Sequence, residues 1–155
     1  MDTSIQETLY PTLTCWGCGH ANPKGFHLRS YERDGLVVAS FTSGPEHDNG
    51  VGFLNGGVIT TVLDCHTAAV VMLEAHRRGL IVPDGPPLAY VTAGFDVRFL
   101  RPSPLAEPVE LTAKLVSAED DAMIVDGELH ADGKVRASMR ATWKRFRPRR
   151  AGSNA

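Results

Sequence analysis

One long apolar segment limits the folds open to this chain more than any other feature. From about Gly56 to Arg78, the residues Val58, Ile59, Val62, Leu63, Ala69, Val70 and Leu73 recur at i, i+3 and i+4, the period of a helix. Asn55 is placed to cap its start and Gly79 to stop its end. The apolar residues occupy more than one face, and two glycines leave little bulk at the first turn. Such a helix has to be covered on several sides, which predicts a helix held within a sheet rather than one lying on a surface.

The rest of the chain supplies that sheet. Phe26 to Tyr31 and Leu36 to Phe41 have strand character, with Arg33-Asp34-Gly35 as the hairpin turn between them. After the helix, Leu88 to Leu100, Pro108 to Ser117, Ala122 to His130 and Val135 to Phe146 read as four strands. Asp132-Gly133 joins the last two. The expected class is α+β, with one long helix segregated against an antiparallel sheet of five to six strands. Residues 1–25 are expected to form an N-terminal leader, loose up to about residue 14 and then a CxxC turn. Residues 26–146 form the domain, and residues 147–155 a flexible basic tail.

Composition closes off several functions. The chain has 155 residues, 43% of them hydrophobic, which suits one packed domain. A formal net charge of -2 offers no case for a nucleic-acid partner. No uninterrupted apolar run approaches the roughly 20 residues that span a bilayer, and Met1 to Tyr10 lacks the layout of a signal peptide. The expected setting is cytoplasmic, with no membrane partner. Three cysteines, Cys15, Cys18 and Cys65, do not make a disulfide framework. Cys15 and Cys18 near His20 and His27 could in principle hold zinc, but no second ligand pair stands at recognisable spacing. The expectation is no metal, with Cys65 a packing residue.

The chemistry concentrates between Glu46 and Asp64. The helix begins at Gly56-Gly57, where backbone N–H groups carry partial positive charge and no side chain blocks a carbonyl oxygen. That is the raw material of an oxyanion hole; helix capping alone would also account for it. Thr60, Asp64 and Thr67 form a stripe at i, i+4, i+7, which reads either as a solvated face or as a carboxylate held at a dimer seam. Gly56 and Asp64 are eight residues apart, roughly 12 Å along a helix axis. A reacting carbonyl must lie within ~3 Å of both groups or their water. One helix cannot supply both, so a catalytic reading requires two copies placed antiparallel.

The stretch His47-Asp48-Asn49-Gly50-Val51-Gly52-Phe53-Leu54-Asn55-Gly56-Gly57-Val58, with Asp64 downstream, resembles the signature of phenylacetate-degradation-type hotdog thioesterases. Val91 to Pro102 resembles the family's strand after the helix, and Cys15-Trp16-Gly17-Cys18-Gly19 with Asn22-Pro23-Lys24-Gly25 a leader of some members. The resemblance covers about residues 15 to 146. It implies a hotdog fold, a long central helix wrapped by a curved sheet, and hydrolysis of an acyl-CoA by a homodimer or homotetramer. It implies no cofactor, since CoA belongs to the substrate. By the same resemblance Asp64 activates water or attacks the thioester carbon, the Gly56 N–H and Asn49 hold the carbonyl, and Thr92 orients the water. The departure is Asn55, which stands where the family usually has His and cannot donate a proton as an acid. His47 and His66 are weak substitutes. Arg98, Arg101, Lys144, Arg145, Arg147 and the helix-start Gly57 are candidates to hold the phosphates of CoA, and Ile81 to Leu88 to shape the acyl pocket. An enoyl-thioester hydratase and a non-catalytic acyl-CoA binder are the alternatives.

Overall fold

The structure, a computed structural model, describes residues 2–81 and 89–147. Its elements run α1 (Ile5–Leu9), β1 (Tyr31–Arg33), β2 (Leu36–Thr42), a short 3-10 turn (Pro45–His47), α2 (Gly56–Arg77), β3 (Tyr90–Phe99), β4 (Pro108–Ala118), β5 (Ala122–Ala131) and β6 (Lys134–Arg145). The six strands form one sheet in the order β1-β2-β4-β5-β6-β3, with every neighbouring pair antiparallel. This is the hotdog fold.

α2 is the 22-residue core helix that the apolar period predicts. Asn55 caps it, its Oδ1 accepting from the Gly57 N–H at 2.8 Å, and Gly79 ends it at φ +66°. The helix packs against β2, β3, β4, β5 and β6. Its Val62, Leu63, Ala69, Val71, Met72 and Ala75 are fully buried. By length and composition alone it could cross a bilayer, but its apolar surface is already covered by the sheet. The strands answer with period-two patterns: Val109, Leu111 and Ala113 on β4, Met123, Val125 and Leu129 on β5, and Ala137, Met139, Ala141 and Trp143 on β6 face the helix. Each large side chain so buried is worth about 2 kcal/mol against exposure. Both expected hairpin turns form, Asp34-Gly35 and Asp132-Gly133, with positive φ at both residues of each pair as a type I′ turn requires.

Two expectations are corrected. Of the leader expected to be loose, the described residues 2–14 are ordered. Ser4 and Glu7 form a capping box on α1, and Ile5, Tyr10 and Leu13 are buried in the core. Phe26 to Tyr31 is not a strand: β1 begins only at Tyr31, and the preceding backbone bonds to the leader instead. Phe26 N–H donates to Trp16 O at 2.9 Å, Leu28 N–H to Gly17 O at 3.0 Å, and Ile5 N–H to Ser30 O at 2.8 Å.

His66 ties this leader to the core. It is fully buried. Because the Val37 carbonyl 3.0 Å from Nε2 can only accept, Nε2 carries the proton. Nδ1 then accepts from the Ser30 hydroxyl at 2.9 Å, while Gln6 Oε1 accepts from the Ser30 N–H at 2.9 Å. Both ring nitrogens are satisfied in the neutral form, so His66 is a core residue. Burial pushes its pKa down to about 4, against which the bond to Val37 works. An unfolded His66 titrates near ~6.5. Between these values the unfolded chain binds the extra proton, so this contribution is complete above about pH 6.5 and is lost as pH falls toward 4, at up to ~1.4 kcal/mol per pH unit. Urea midpoints measured from pH 7 down to 4.5 are expected to fall steeply for the wild type and less steeply for His66→Gln. Equal slopes would refute this role.

Candidate active site

The sequence candidates separate into two groups on the surface. Asn49, Gly56 and Arg101 line one groove of about 490 Å³, together with Phe53, Phe99 and Pro102. Asp64 and Thr92 line a different cavity of about 380 Å³. No single copy brings Asp64 to Gly56.

At the first group, the start of α2 is shaped by its own cap. The Gly57 N–H is occupied by Asn55, so Gly57 is not a free donor for a ligand. The Gly56 N–H has no partner among the described residues. A Cβ at position 56 would lie 3.3 Å from the Phe99 ring, so only glycine fits beneath it without moving the ring. Asn49 uses its Oδ1 to accept from the Val51 N–H at 3.0 Å and the Phe53 N–H at 3.2 Å, which orders the loop and leaves its amide NH2 as the available donor. His47 also orders this loop: its Nδ1 accepts from the Gly44 N–H at 3.0 Å, and its carbonyl accepts from the Asn55 N–H at 2.9 Å.

At the second group, Thr92 Oγ1 donates to Asp64 Oδ1 at 2.8 Å. That fixes one carboxylate oxygen and leaves the other for a water. The helical hydroxyl Thr67 bonds to the Asp64 carbonyl at 2.9 Å, and it accepts from the Trp143 Nε1–H at 3.2 Å. Burial in the apolar wall pushes the Asp64 pKa up, the Thr92 bond pulls it down, and the nearby Cys15 sulfur raises it again. The cavity wall comprises Leu13, Ala68, Met72, Tyr90, Val91 and Trp143 with the three cysteines. Leu13, Met72, Tyr90 and Trp143 were not singled out from sequence; their only signal there is the helix and strand period, which marks every core residue alike.

The phosphate candidates also divide. Arg101 stands in the Gly56 groove, its Nη1 donating to Val135 O at 2.8 Å. Arg98 lies on another face with Asp96, Asp126 and Glu128, and its Nε is 3.5 Å from Asp96. Three carboxylates make that face a poor phosphate site. Arg147 pairs with Asp121 at 2.7 Å. Residues 82–88 of the expected acyl-pocket loop, and the tail beyond Arg147, lie outside the described residues.

Residues 51–138 match the Thioesterase superfamily, more than half of the chain. The chain belongs to this superfamily. The crystal structure of a phenylacetic acid degradation-related protein from Ralstonia eutropha JMP134 is similar at 26% identity over 77% of this chain and 85% of its own, with a TM-score of 0.63. A thioesterase superfamily protein from Shewanella loihica PV-4 is similar at 25% identity over 83% of this chain and 98% of its own, with a TM-score of 0.65. The E. coli PaaI protein of the phenylacetic acid degradation operon, at 21% identity, covers 79% of this chain and 81% of its own, with a TM-score of 0.62, and shares the fold. No curated protein matches the sequence.

A half-buried carboxylate in an apolar wall weakens the fold that holds it. Asp64→Asn keeps an acceptor for Thr92 and removes the charge. Calorimetry of this variant is expected to show a melting temperature about 2–4 °C above wild type; a lower one would mean that the carboxylate stabilises the structure.

Proposed function

We propose that the protein hydrolyses an acyl-CoA thioester to a free acid and CoA, in a site built from two copies of the chain. The observation that carries this reading is the division of the candidates: a positioned carboxylate in one cavity and an unpartnered helix-start N–H in another. Each is half of an acyl-transfer site.

The exposed edge of β3 supports the same arrangement. β3 pairs only with β6 among the described residues. It carries Val91, Phe95 and Phe99 at 46%, 43% and 54% exposure. An apolar, unpaired strand edge of this length invites a second strand. β3 runs from Thr92, at the Asp64 cavity, to Phe99, over Gly56. Antiparallel pairing of two β3 edges about Phe95 places the Thr92 end of one copy beside the Phe99 end of the other. The carbonyl then lies between the Gly56 N–H and Asn49 amide of one copy and the Asp64 water of its partner.

In that site the free Asp64 oxygen takes a proton from water, and the resulting hydroxide attacks the thioester carbon. The oxyanion is held by the Gly56 N–H and the Asn49 amide. Collapse expels CoA as a thiolate. A thiol with a pKa near ~8.5 leaves without much help at neutral pH, so Asn55 in place of an acid is compatible with turnover. Arg101, on the rim of the Gly56 groove, is the cation best placed for a CoA phosphate. The cavity beside Asp64, walled by Met72, Tyr90 and Trp143, receives the acyl group.

Thiol release from a panel of acyl-CoAs tests the chemistry. Asp64→Asn is expected to lose at least ~100-fold in kcat, and Gly56→Val a similar factor. Refolding equal amounts of these two variants together tests the shared site. Half of the dimers then hold one intact site of two, so about a quarter of wild-type activity should return. No recovery would place both groups in one chain. Release of no thiol by the wild type would favour a binding role, and hydration of an enoyl-CoA a hydratase.

A further inference from the structure

Cys15 and Cys18 are joined in space by Cys65, which comes from α2 and is 47 residues from Cys18 in sequence. The three sulfurs all lie within 4.8 Å of one another, and all three thiols are free. Cys15 Sγ and Cys65 Sγ are 3.8 Å apart. With a Zn–S bond of ~2.3 Å, the edge of a tetrahedral site is roughly 3.8 Å. A disulfide needs sulfurs at ~2.05 Å and joins only two of them.

The backbone is shaped for this convergence. The turn closes with the Gly19 N–H donating to Cys15 O at 2.8 Å. Gly17 sits directly over Cys65, where a Cβ would come within 2.3 Å of Sγ. Any side chain at position 17 would push the third sulfur away. Cys18 and Cys65 are buried and Cys15 is half-buried, so the sulfurs converge at the inner wall of the Asp64 cavity rather than on open surface.

We propose that Cys15, Cys18 and Cys65 bind a zinc ion that fastens the leader turn to α2, one residue from Asp64. Three thiolates fill three positions, their protons passing to solvent. Water from the cavity takes the fourth, because the Asp64 carboxylate is not part of the 4.8 Å cluster. The metal sets the wall formed by Leu13, Cys15 and Cys18, and with it the width of the cavity. This assignment is independent of the hydrolytic reading, since it rests on sulfur geometry alone.

Metal analysis of the purified, reduced protein is expected to find about one zinc per chain. The Co²⁺-substituted wild type should show thiolate-to-cobalt charge transfer and tetrahedral d–d bands. Zinc should also protect all three thiols from alkylation, counted by mass, until a chelator removes it. Cys18→Ser and Cys65→Ser should lose the cobalt spectrum, and Asp64→Asn should keep it. A wild type that binds neither zinc nor cobalt, or that holds two of the cysteines as a disulfide when reduced protein is returned to air with zinc, overturns the proposal. So does full metal retention in either serine variant. The wild-type spectrum and alkylation count decide the matter even if a serine variant fails to fold.

Discussion

The burial of α2 is the constraint on which the rest of the molecule depends. A helix apolar over most of its circumference cannot rest on one flat surface, and five strands touch it. The chain achieves this by carrying α2 across from the β2 side of the sheet to an entirely different edge. β3 therefore pairs with β6 rather than with β2, and the later hairpins fill the gap. Two consequences follow from this one requirement. The N-terminus of α2 emerges at one end of the sheet with a donor unmatched, and Asp64, two turns on, is pressed into an apolar wall. A helix lying on the surface would have left Asp64 hydrated and ordinary.

The edge position of β3 is the second consequence. Its helix side is thinly covered, Tyr90 being its one fully buried residue, so the apolar Phe95 and Phe99 stay partly exposed there, while its outer face carries Asp96 and Arg98. The same strand runs past both groups of candidate residues, supplying Thr92 to Asp64 and Phe99 to Gly56. A strand that touches both groups and has no partner on its outer edge among the described residues ties the proposed shared site to assembly: in that reading, whatever covers β3 completes or blocks the site.

Much of this was legible in the sequence because it is written in local patterns. The α2 period, the Asn55 cap, the Asp-Gly hairpins and the later strands each depend on neighbours within a few residues. The separation of Gly56 from Asp64 followed from helix rise alone. What was not legible depends on contacts distant in sequence. The leader looked loose because its few apolar residues, Ile5, Tyr10 and Leu13, show no period; they are ordered by the core they join and by the Gln6–Ser30–His66 network. Phe26 to Tyr31 has strand-forming residues, yet the leader takes its hydrogen bonds. Arg98 was grouped with Arg101 by sequence proximity, while the end of β3 sends them to different faces. Cys65 reads as a packing residue and is buried as one, but no spacing rule shows that its sulfur meets those of the CxxC turn.

The segment at 47–57 shows how a departure from a family pattern can be absorbed by structure. Asn55 has both its cap acceptor and its backbone N–H engaged, the first with Gly57 and the second with His47. A neutral imidazole at this position could cap through one nitrogen and donate through the other, but the doubly protonated form that delivers a proton has no acceptor left for the cap. Asparagine separates the tasks: the carbonyl oxygen caps, and the amide NH2 remains as a donor. The exchange gives up proton transfer and gains a rigid helix start that withholds Gly57 and leaves Gly56 as the donor. For a leaving group as acidic as a thiol, donor geometry matters more than a proton, so the substitution fits thioester chemistry and suits poorly any reaction in which a proton must be delivered to carbon or to an alkoxide.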